Sequence, residues 1–200
     1  MQISHNETDP TSDVTAVILA GGRSRRMGRD KATLMVAGQT LFARTREMVH
    51  SIFAQVLIAG DRPDLATTEV PSVADIYPGS ALGGLHGGLS AARTPWIFVV
   101  PCDLAHPDPQ LVRYLLSRRN GCDLVVPRTP QGLEPVFALY HKNCLAVMTQ
   151  MLATGNFRIF DFYDQVRACY VDTRTLPMDW QRALINLNTP DDVRRFAKED

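Results

Sequence analysis

Apolar, β-branched runs alternate with amphipathic stretches along this chain, and the alternation limits the folds that it can adopt. Between the runs, apolar residues recur at helical spacing in 41–52, 111–116 and 145–152. Strands that alternate with helices form a parallel sheet with helices packed against it. The sequence therefore predicts an α/β fold with a mostly parallel central sheet. The predicted strands are 15–19, 55–59, 96–100, 123–126, 135–140 and 168–172.

Length and composition favour one domain. The 200 residues, 45% of them hydrophobic, are enough to bury one sizeable core. No internal repeat, low-complexity block or long linker follows the polar, acidic start of the chain. We therefore predict a flexible tail over 1–13 and a single domain over 14–200.

The same start of the chain lacks the basic and apolar parts of a signal peptide. No apolar run approaches the roughly 20 residues of a membrane span. We therefore expect a soluble, cytoplasmic protein that has no membrane partner.

The charge balance gives no sign of a nucleic-acid partner. The 21 basic and 21 acidic residues give a net charge of zero. Positive charge is instead concentrated in one segment, at Arg23, Arg25, Arg26, Arg29 and Lys31.

The four cysteines are predicted to be buried free thiols. They form no C-x-x-C pair and lack the histidine spacing of a zinc site. Free thiols are the rule in a reducing cytosol. The residues are Cys102, Cys122, Cys144 and Cys169.

The basic segment follows the first predicted strand and carries three glycines, at 21, 22 and 28. Glycines let backbone N–H groups approach an anion closely, and cationic side chains neutralise it. The segment matches neither G-x-x-x-x-G-K-[ST] nor G-x-G-x-x-G, which excludes a P-loop hydrolase and a dinucleotide-binding dehydrogenase. It is a candidate polyphosphate-binding loop of another type.

Asp103 follows the predicted strand 96–100. In open α/β sheets the ligand lies beyond the carboxyl ends of the strands, where the basic loop also begins. An isolated aspartate after a strand is usually a turn or cap residue. Opposite a phosphate-binding loop it is better interpreted as a ligand of Mg²⁺, which usually accompanies a polyphosphate.

The segment 19–31, L-A-G-G-x-S-x-R-M-G-x-D-K, resembles the signature of nucleotidyltransferases that activate a phosphorylated small molecule. The chain is similar in particular to the molybdenum cofactor guanylyltransferases, which join GMP from GTP to molybdopterin. Four further segments support the resemblance in the same order along the chain. They are 78–85, 101–103, 134–140 and 185–192.

The resemblance implies a three-layer, Rossmann-like sandwich and a Mg²⁺-dependent attack on the α-phosphate of GTP that releases pyrophosphate. Arg26, Lys31 and Asp103 would be the catalytic residues, with Asp103 also holding the metal. Molybdopterin already presents an anionic phosphate, so no general base is expected. The nucleotide-binding residues would be Leu19, Ala20, Gly21, Gly22, Lys31, Asp75 and Asp103.

Asn186 and Asn188 are the candidate contacts to molybdopterin. On a strand, alternate residues point to one face, so the two amides would project together while Ile185 and Leu187 enter the core. Paired amides offer donors and acceptors that suit a pterin edge and a phosphate. The residues that follow indicate a helix start, with Thr189 as its N-cap.

The chain departs from this family at three places. Ala59-Gly60-Asp61 stands where relatives often carry an asparagine, Ser80-Ala81 lacks a proline, and Ala105 replaces a proline. Gly21 favours GTP over CTP, because related cytidylyltransferases tend to carry alanine there and a missing Cβ makes room for a purine edge.

Three alternatives stay open. They are a molybdenum cofactor cytidylyltransferase, a non-catalytic protein that binds and delivers the cofactor, and a sugar-phosphate nucleotidyltransferase. The resemblance also implies transient contact with molybdoenzymes or their chaperones, and we expect a monomer.

Overall fold

The structure, a computed structural model, describes residues 9–21, 30–176 and 178–199. Within these residues, eight strands form the main sheet and two form a small hairpin. The strands are β1 (Val14–Leu19), β2 (Met35–Val36), β3 (Gln39–Thr40), β4 (Gln55–Ala59), β5 (Ser72–Val73), β6 (Trp96–Pro101), β7 (Leu124–Thr129), β8 (Gly132–Leu133), β9 (Ala138–His141) and β10 (Ala168–Asp172).

The main sheet has the order β10-β7-β9-β6-β1-β4-β5, and β8 pairs with β7 outside this path. Strand β9 runs antiparallel to both of its neighbours, whereas β1, β4, β5 and β6 are mutually parallel, as are β7 and β10. Leu19 at the end of β1 pairs with Ala59 of β4 and Pro101 of β6. The predicted mostly parallel sheet is confirmed, and three strands end side by side at its centre.

Helices cover both faces of the sheet, which confirms the expected three layers. Apolar residues of α1 and α3 pack with Ala16 and Ile18 on one face. Those of α2 and α4 pack with Val17 on the other face, because successive strand residues point to opposite sides. The helices are α1 (Leu41–His50), α2 (Ala81–Ala91), α3 (Pro109–Ser117), α4 (Leu145–Ala153), α5 (Trp180–Ala183) and α6 (Pro190–Glu199).

The start of α6 follows the prediction. The backbone N–H of Asp192 donates to Thr189 Oγ1 at 3.1 Å, and the Asp192 carboxylate accepts from the Thr189 N–H at 2.8 Å. This reciprocal pair satisfies two donors that a helix start leaves without intrahelical partners.

Strands β7 and β9 differ most from their predicted limits. Strand β9 begins only at Ala138, because the Phe137 N–H donates to the Glu134 carbonyl at 3.1 Å and closes a turn that contains Pro135. Strand β7 runs on to Thr129, since pairing with β8 prolongs it.

The glycine-rich stretch after residue 80 forms helix α2. Its apolar residues bury one side, and its glycines allow a close approach to β1. A Cβ on Gly88 would lie 2.5 Å from Val17 Cγ1. Glycine content here reflects packing of the helix against the sheet, which a local propensity argument does not detect.

The prediction of four free thiols is wrong for two of the cysteines. Cys122 and Cys169 form a disulfide, with their Cα atoms 6.0 Å apart. They lie at the amino ends of the neighbouring parallel strands β7 and β10, a relationship that their separation of 47 residues conceals. Cys102 and Cys144 are buried and free, as predicted.

The last residues of the predicted tail are tied to the fold. Residues 9–13 form a turn, and Asp13 accepts from Arg119 at 2.7 Å. The earlier part of the predicted tail lies outside the described residues. Among the helices that the structure describes, none is long and apolar enough to cross a membrane.

Candidate active site

A cleft of about 320 Å³ opens at the carboxyl ends of β1, β4 and β6. This position, beyond the ends of parallel strands, is the usual ligand site of open α/β sheets. The cleft brings together residues that are up to 117 positions apart in the chain, from Leu19 to Val136. Of the predicted site residues, its walls include Leu19, Ala20, Gly21, Lys31, Asp75 and Asp103.

Lys31 and Asp103 form an ion pair on one wall of the cleft. The Lys31 ammonium lies 2.8 Å from the Asp103 carboxylate, and both side chains are largely buried. The same ammonium donates to Asn188 Oδ1 at 2.6 Å. Lys31 stands at the start of a 3₁₀ turn, Lys31–Thr33, and Asp103 follows β6. Lys31 therefore links the segment after β1 to Asp103, which follows β6, and to Asn188, which precedes α6.

Asp75 contributes a second carboxylate, at the base of the cleft. Its Oδ1 is buried and has no hydrogen-bond partner among the described residues. Burial raises the pKa of this carboxyl above its usual value. Added Cβ atoms on Gly84 and Gly87 would lie 3.7 and 3.3 Å from Asp75 Oδ1. The glycines thus leave space around a carboxylate that can accept hydrogen bonds from a bound donor.

Gly21 and Gly60 approach each other closely at the ends of β1 and β4. Gly60 has φ = +117°, and a Cβ there would lie 2.7 Å from the Gly21 backbone. A Cβ on Gly21 would lie 3.3 Å from Gly60 Cα and 3.7 Å from Asp75 Oδ2. Close strand packing is therefore a second reason for Gly21, beside the room that it leaves in the cleft.

The amino end of α2 also faces the cleft. Ser80 caps the helix by accepting from the Gly83 N–H at 2.9 Å, and residues 79–81 line the cleft. Ser80 thus starts the helix without the proline that the family resemblance led us to expect. A helix amino end bears partial positive charge and favours anions nearby.

Asn186 is held beside Asp103 by a short antiparallel pairing. It bridges to Leu104, and the Leu187 N–H donates to the Asp103 carbonyl at 2.9 Å. Asn186 Oδ1 is buried without a hydrogen-bond partner in the part of the chain that the structure describes. Neither Asn186 nor Asn188 is among the residues that line the cleft, so their contact with a ligand stays a prediction.

The expected alternation around Asn186 is only partly present. Leu187 is buried, but Ile185 is 46% exposed, so the prediction that both enter the core is wrong for Ile185. The segment pairs through a single bridge, and no continuous ladder fixes the orientation of Ile185. Asn188 nonetheless lies near Asn186, donating to its carbonyl at 3.4 Å.

Two predicted site residues, Gly22 and Arg26, lie in 22–29, outside the described residues.

Sequence reasoning missed Asp30, which lines the cleft, and Arg62, which pairs with it at 2.5 Å. Asp30 is the only carboxylate of the signature segment 19–31 and could have been selected on that ground. Arg62 carried no signal, because only the fold brings it next to the loop.

The carboxylates of the cleft are the side chains that could bind Mg²⁺. Within the described residues no group of three or more His, Cys, Asp or Glu side chains could enclose a metal. Mg²⁺ usually binds one or two carboxylates together with substrate phosphates and water, and an all-protein cage is uncommon. A single carboxylate at Asp103 fits this mode.

The family model described as a MobA-like NTP transferase domain matches residues 16–168. The chain belongs to the MobA-like NTP transferase family. It is 38% identical over 185 residues to a probable molybdenum cofactor guanylyltransferase of Pelotomaculum thermopropionicum, covering 90% of this chain and 89% of that protein. It is 34% identical to the molybdenum cofactor guanylyltransferase of Vibrio cholerae, with 96% of each chain covered.

The fold of this family member also matches a solved structure. Molybdopterin-guanine dinucleotide biosynthesis protein A of Archaeoglobus fulgidus superposes with a TM-score of 0.77 at 21% identity, covering 92% of this chain and 97% of that one. The protein is therefore a nucleotidyltransferase by family, with the sheet and helices that this fold requires.

Proposed function

We propose that this protein transfers GMP from GTP to the phosphate of molybdopterin and releases pyrophosphate. The observation that carries the proposal is the Lys31–Asp103 pair, 2.8 Å apart on the wall of a cleft at the carboxyl ends of β1 and β6. A cation and a metal-binding carboxylate in contact at that position suit a triphosphate with its Mg²⁺.

The nucleoside would occupy the part of the cleft between Leu19–Gly21 and Asp75. Backbone groups at the end of β1 face this space, and Asp75 offers an acceptor without a partner among the described residues. A guanine N–H or a ribose hydroxyl would supply the missing hydrogen bond.

The triphosphate would lie between Lys31 and the amino end of α2. Lys31, whose positive charge Asp103 balances in the structure, would donate to phosphate oxygens. Asp103 would hold Mg²⁺, which supplies further positive charge to the phosphate oxygens when bound. Gly22 and Arg26 belong to the same proposed nucleotide contacts, and Arg26 would add a second cation.

The reaction needs positioning and charge stabilisation rather than a protein nucleophile. A phosphate oxygen of molybdopterin attacks the α-phosphorus of GTP. The bond between the α-phosphorus and the bridging oxygen breaks, and pyrophosphate leaves with that oxygen and its electron pair. The attacking phosphate is already ionised, so no residue has to remove a proton.

Molybdopterin would bind beside Asn186 and Asn188. The Asn186 side-chain oxygen lacks a partner within the described residues, and Asn188 contacts Lys31 directly. A ligand bound by these amides would have its phosphate near the triphosphate site, as an in-line attack requires.

GTP is preferred to CTP on two grounds. Gly21 leaves room for a purine edge against the backbone, and relatives at 38% and 34% identity are named guanylyltransferases. A delivery protein without turnover would have no need for the Lys31–Asp103 pair, so this alternative is not favoured. We further propose a cytoplasmic location, because GTP is a cytoplasmic substrate. The protein would act as a monomer and hand its product to molybdoenzymes or their chaperones.

Mass spectrometry of the product tests the proposal. Purified protein incubated with GTP, Mg²⁺ and molybdopterin should give the guanine dinucleotide form of the cofactor, and Lys31→Ala should give little of it. Wild-type protein that binds GTP and forms no dinucleotide would overturn the proposed activity.

A further inference from the structure

Arg62 contacts the signature segment 19–31 at two places, one before and one after residues 22–29. It follows β4, and its Nη1 donates to the Ala20 carbonyl at 3.2 Å. Its Nη2 lies 2.5 Å from the carboxylate of Asp30, the first described residue after 22–29. One guanidinium therefore binds both Ala20 and Asp30.

Asp30 transmits this contact to Lys31. Asp30 Oδ1 accepts from the Ala32 N–H at 3.1 Å and so caps the 3₁₀ turn that begins at Lys31. Its other oxygen, Oδ2, receives the Arg62 bond. The carboxylate thus joins Arg62 to the backbone that carries Lys31, whose ammonium reaches Asp103.

Arg62 itself is well anchored. Its side chain is 14% exposed, and its backbone N–H donates to Ser72 Oγ at 3.1 Å. The Ser72 hydroxyl in turn donates to the Gly60 carbonyl at 2.6 Å. Arg62 is therefore attached to the junction of β4 and β5, and its guanidinium lies in a fixed position relative to the cleft.

The guanidinium has no nitrogen left to bind substrate in this arrangement. Nε and Nη2 donate to Asp64, Nη2 and Nη1 to Asp30, and Nη1 to Ala20. Arginine suits this role because its planar fork makes several directed bonds at once, which a lysine ammonium on a flexible stem does not reproduce.

We infer that Arg62 is a positioning residue for nucleotide binding, which holds Lys31 in place through Asp30. The role goes beyond the contacts assigned to the loop, and it rests on the proposed function only for the identity of the nucleotide. Ion pairs with exposed carboxylates contribute little to stability, so the main consequence of losing Arg62 is expected in nucleotide affinity.

A double-mutant cycle between Arg62 and Lys31 tests this inference. Affinity for a fluorescent GTP analogue with Mg²⁺ is measured for wild type, Arg62→Ala, Lys31→Ala and the double variant. Arg62→Ala should weaken binding roughly tenfold, the effect of one charge-assisted hydrogen bond, and should leave the KM for molybdopterin unchanged. In the Lys31→Ala background the same change should have almost no effect, because Arg62 acts through Lys31.

Three further variants separate positioning from general stability. Arg62→Lys should recover only part of the affinity, and Asp30→Asn should resemble Arg62→Ala, because it keeps the cap oxygen and removes the charge. Arg119→Ala is the matched control. Arg119 pairs with Asp13 at 2.7 Å with 16% exposure, but at the amino end of β1, so GTP affinity should not change.

Additive losses in the cycle, or an equal loss of affinity in Arg119→Ala, would overturn the inference. Thermal unfolding shows whether each variant is folded, and Arg62→Lys keeps the test valid if Arg62→Ala is not. A wild type that binds GTP without forming product refutes the proposed activity, and the cycle in affinity still decides the role of Arg62. A wild type that binds no nucleoside triphosphate refutes both.

Discussion

The ammonium of Lys31 lies 2.8 Å from the carboxylate of Asp103, although 72 residues separate them in the chain. The contact follows from topology, because β1 and β6 are adjacent parallel strands and Leu19 pairs with Pro101. Chain segments that leave these two strands emerge at the same edge of the sheet. The resulting pair keeps a cation and a carboxylate in the cleft without leaving either charge uncompensated.

Substitution of this pair should abolish most turnover. We expect Lys31→Ala and Asp103→Asn each to lower kcat/KM for GTP by about a hundredfold, since each removes charge stabilisation of the reacting phosphates. Steady-state pyrophosphate release measures the effect. Circular dichroism should show the fold intact in both variants, because neither side chain belongs to the apolar core. Activity close to wild type in both would exclude the mechanism.

Asp75→Asn should weaken GTP binding while stabilising the protein without nucleotide. Loss of a carboxylate acceptor should lower the affinity about tenfold, whereas removal of a buried charge removes its desolvation cost. Thermal unfolding and calorimetric titration with GTP measure the two effects. A variant with lower stability and wild-type affinity would show that Asp75 has a purely structural role.

The stability gain in Asp75→Asn should depend on pH. Because burial raises the pKa of Asp75 in the folded state, the folded protein retains a proton that the unfolded protein releases first. Wild-type stability therefore falls as pH rises through the raised pKa, and the variant lacks this loss. The difference in midpoint temperature should be small in acid and should increase toward neutral pH.

Gly60→Ala should disrupt the cleft more than an ordinary substitution of a positive-φ glycine. Its φ of +117° disfavours alanine, and the new Cβ would meet the Gly21 backbone at 2.7 Å. We expect a loss of unfolding free energy of more than about 2 kcal/mol, together with weaker GTP binding. Chemical denaturation and nucleotide titration measure both quantities.

Gly121→Ala is the control for this change. Gly121 has φ = +78°, but a Cβ there meets nothing within 4 Å. It should therefore show only the backbone cost of about 1–2 kcal/mol, with unchanged affinity. Equal effects of the two alanines on affinity would mean that the approach of Gly60 to Gly21 does not shape the site.

The sequence was sufficient for the parts of the fold that local pattern determines. Strands β4 and β10 have their predicted limits, because an apolar run makes up most of each. Most of the residues assigned to the cleft also meet there, since parallel strands bring the segments that follow them to one edge. Their roles in catalysis stay predictions until they are tested.

Other features depended on long-range contacts that no local pattern contains. Helix α2 forms despite four glycines, and two of them, Gly84 and Gly88, let it lie against β1. Arg62 reaches Asp30 only through the pairing of β4 with β1. The disulfide arises in the same way, from the adjacency of β7 and β10. Propensity and spacing describe neighbours in the chain, whereas these contacts are set by neighbours in the sheet.

Reduction of the Cys122–Cys169 disulfide should destabilise the protein without changing its activity. A closed loop of 47 residues contributes up to about 4 kcal/mol by restricting the unfolded chain. The bond lies at the amino ends of β7 and β10, whereas the cleft lies at the opposite ends of β1 and β6. Denaturation with and without a phosphine reductant, and the kcat of both forms, measure the two effects.

Thiol titration gives a further check on this prediction. Burial raises the pKa values of Cys102 and Cys144 to about 12, so the native oxidised protein should react very slowly with a thiol reagent. The reduced protein should expose reactive thiols at Cys122 and Cys169. Cys169→Ser, which cannot form the bond, should unfold like the reduced wild type. Four rapidly reacting thiols in the untreated native protein would contradict the assignment.

The most direct test of the proposed activity is pyrophosphate release from GTP and, separately, CTP by the purified protein with molybdopterin and Mg²⁺. Our account predicts release with GTP that depends on molybdopterin, and little with CTP. Release with CTP alone, or with neither nucleotide although GTP binds, would contradict it.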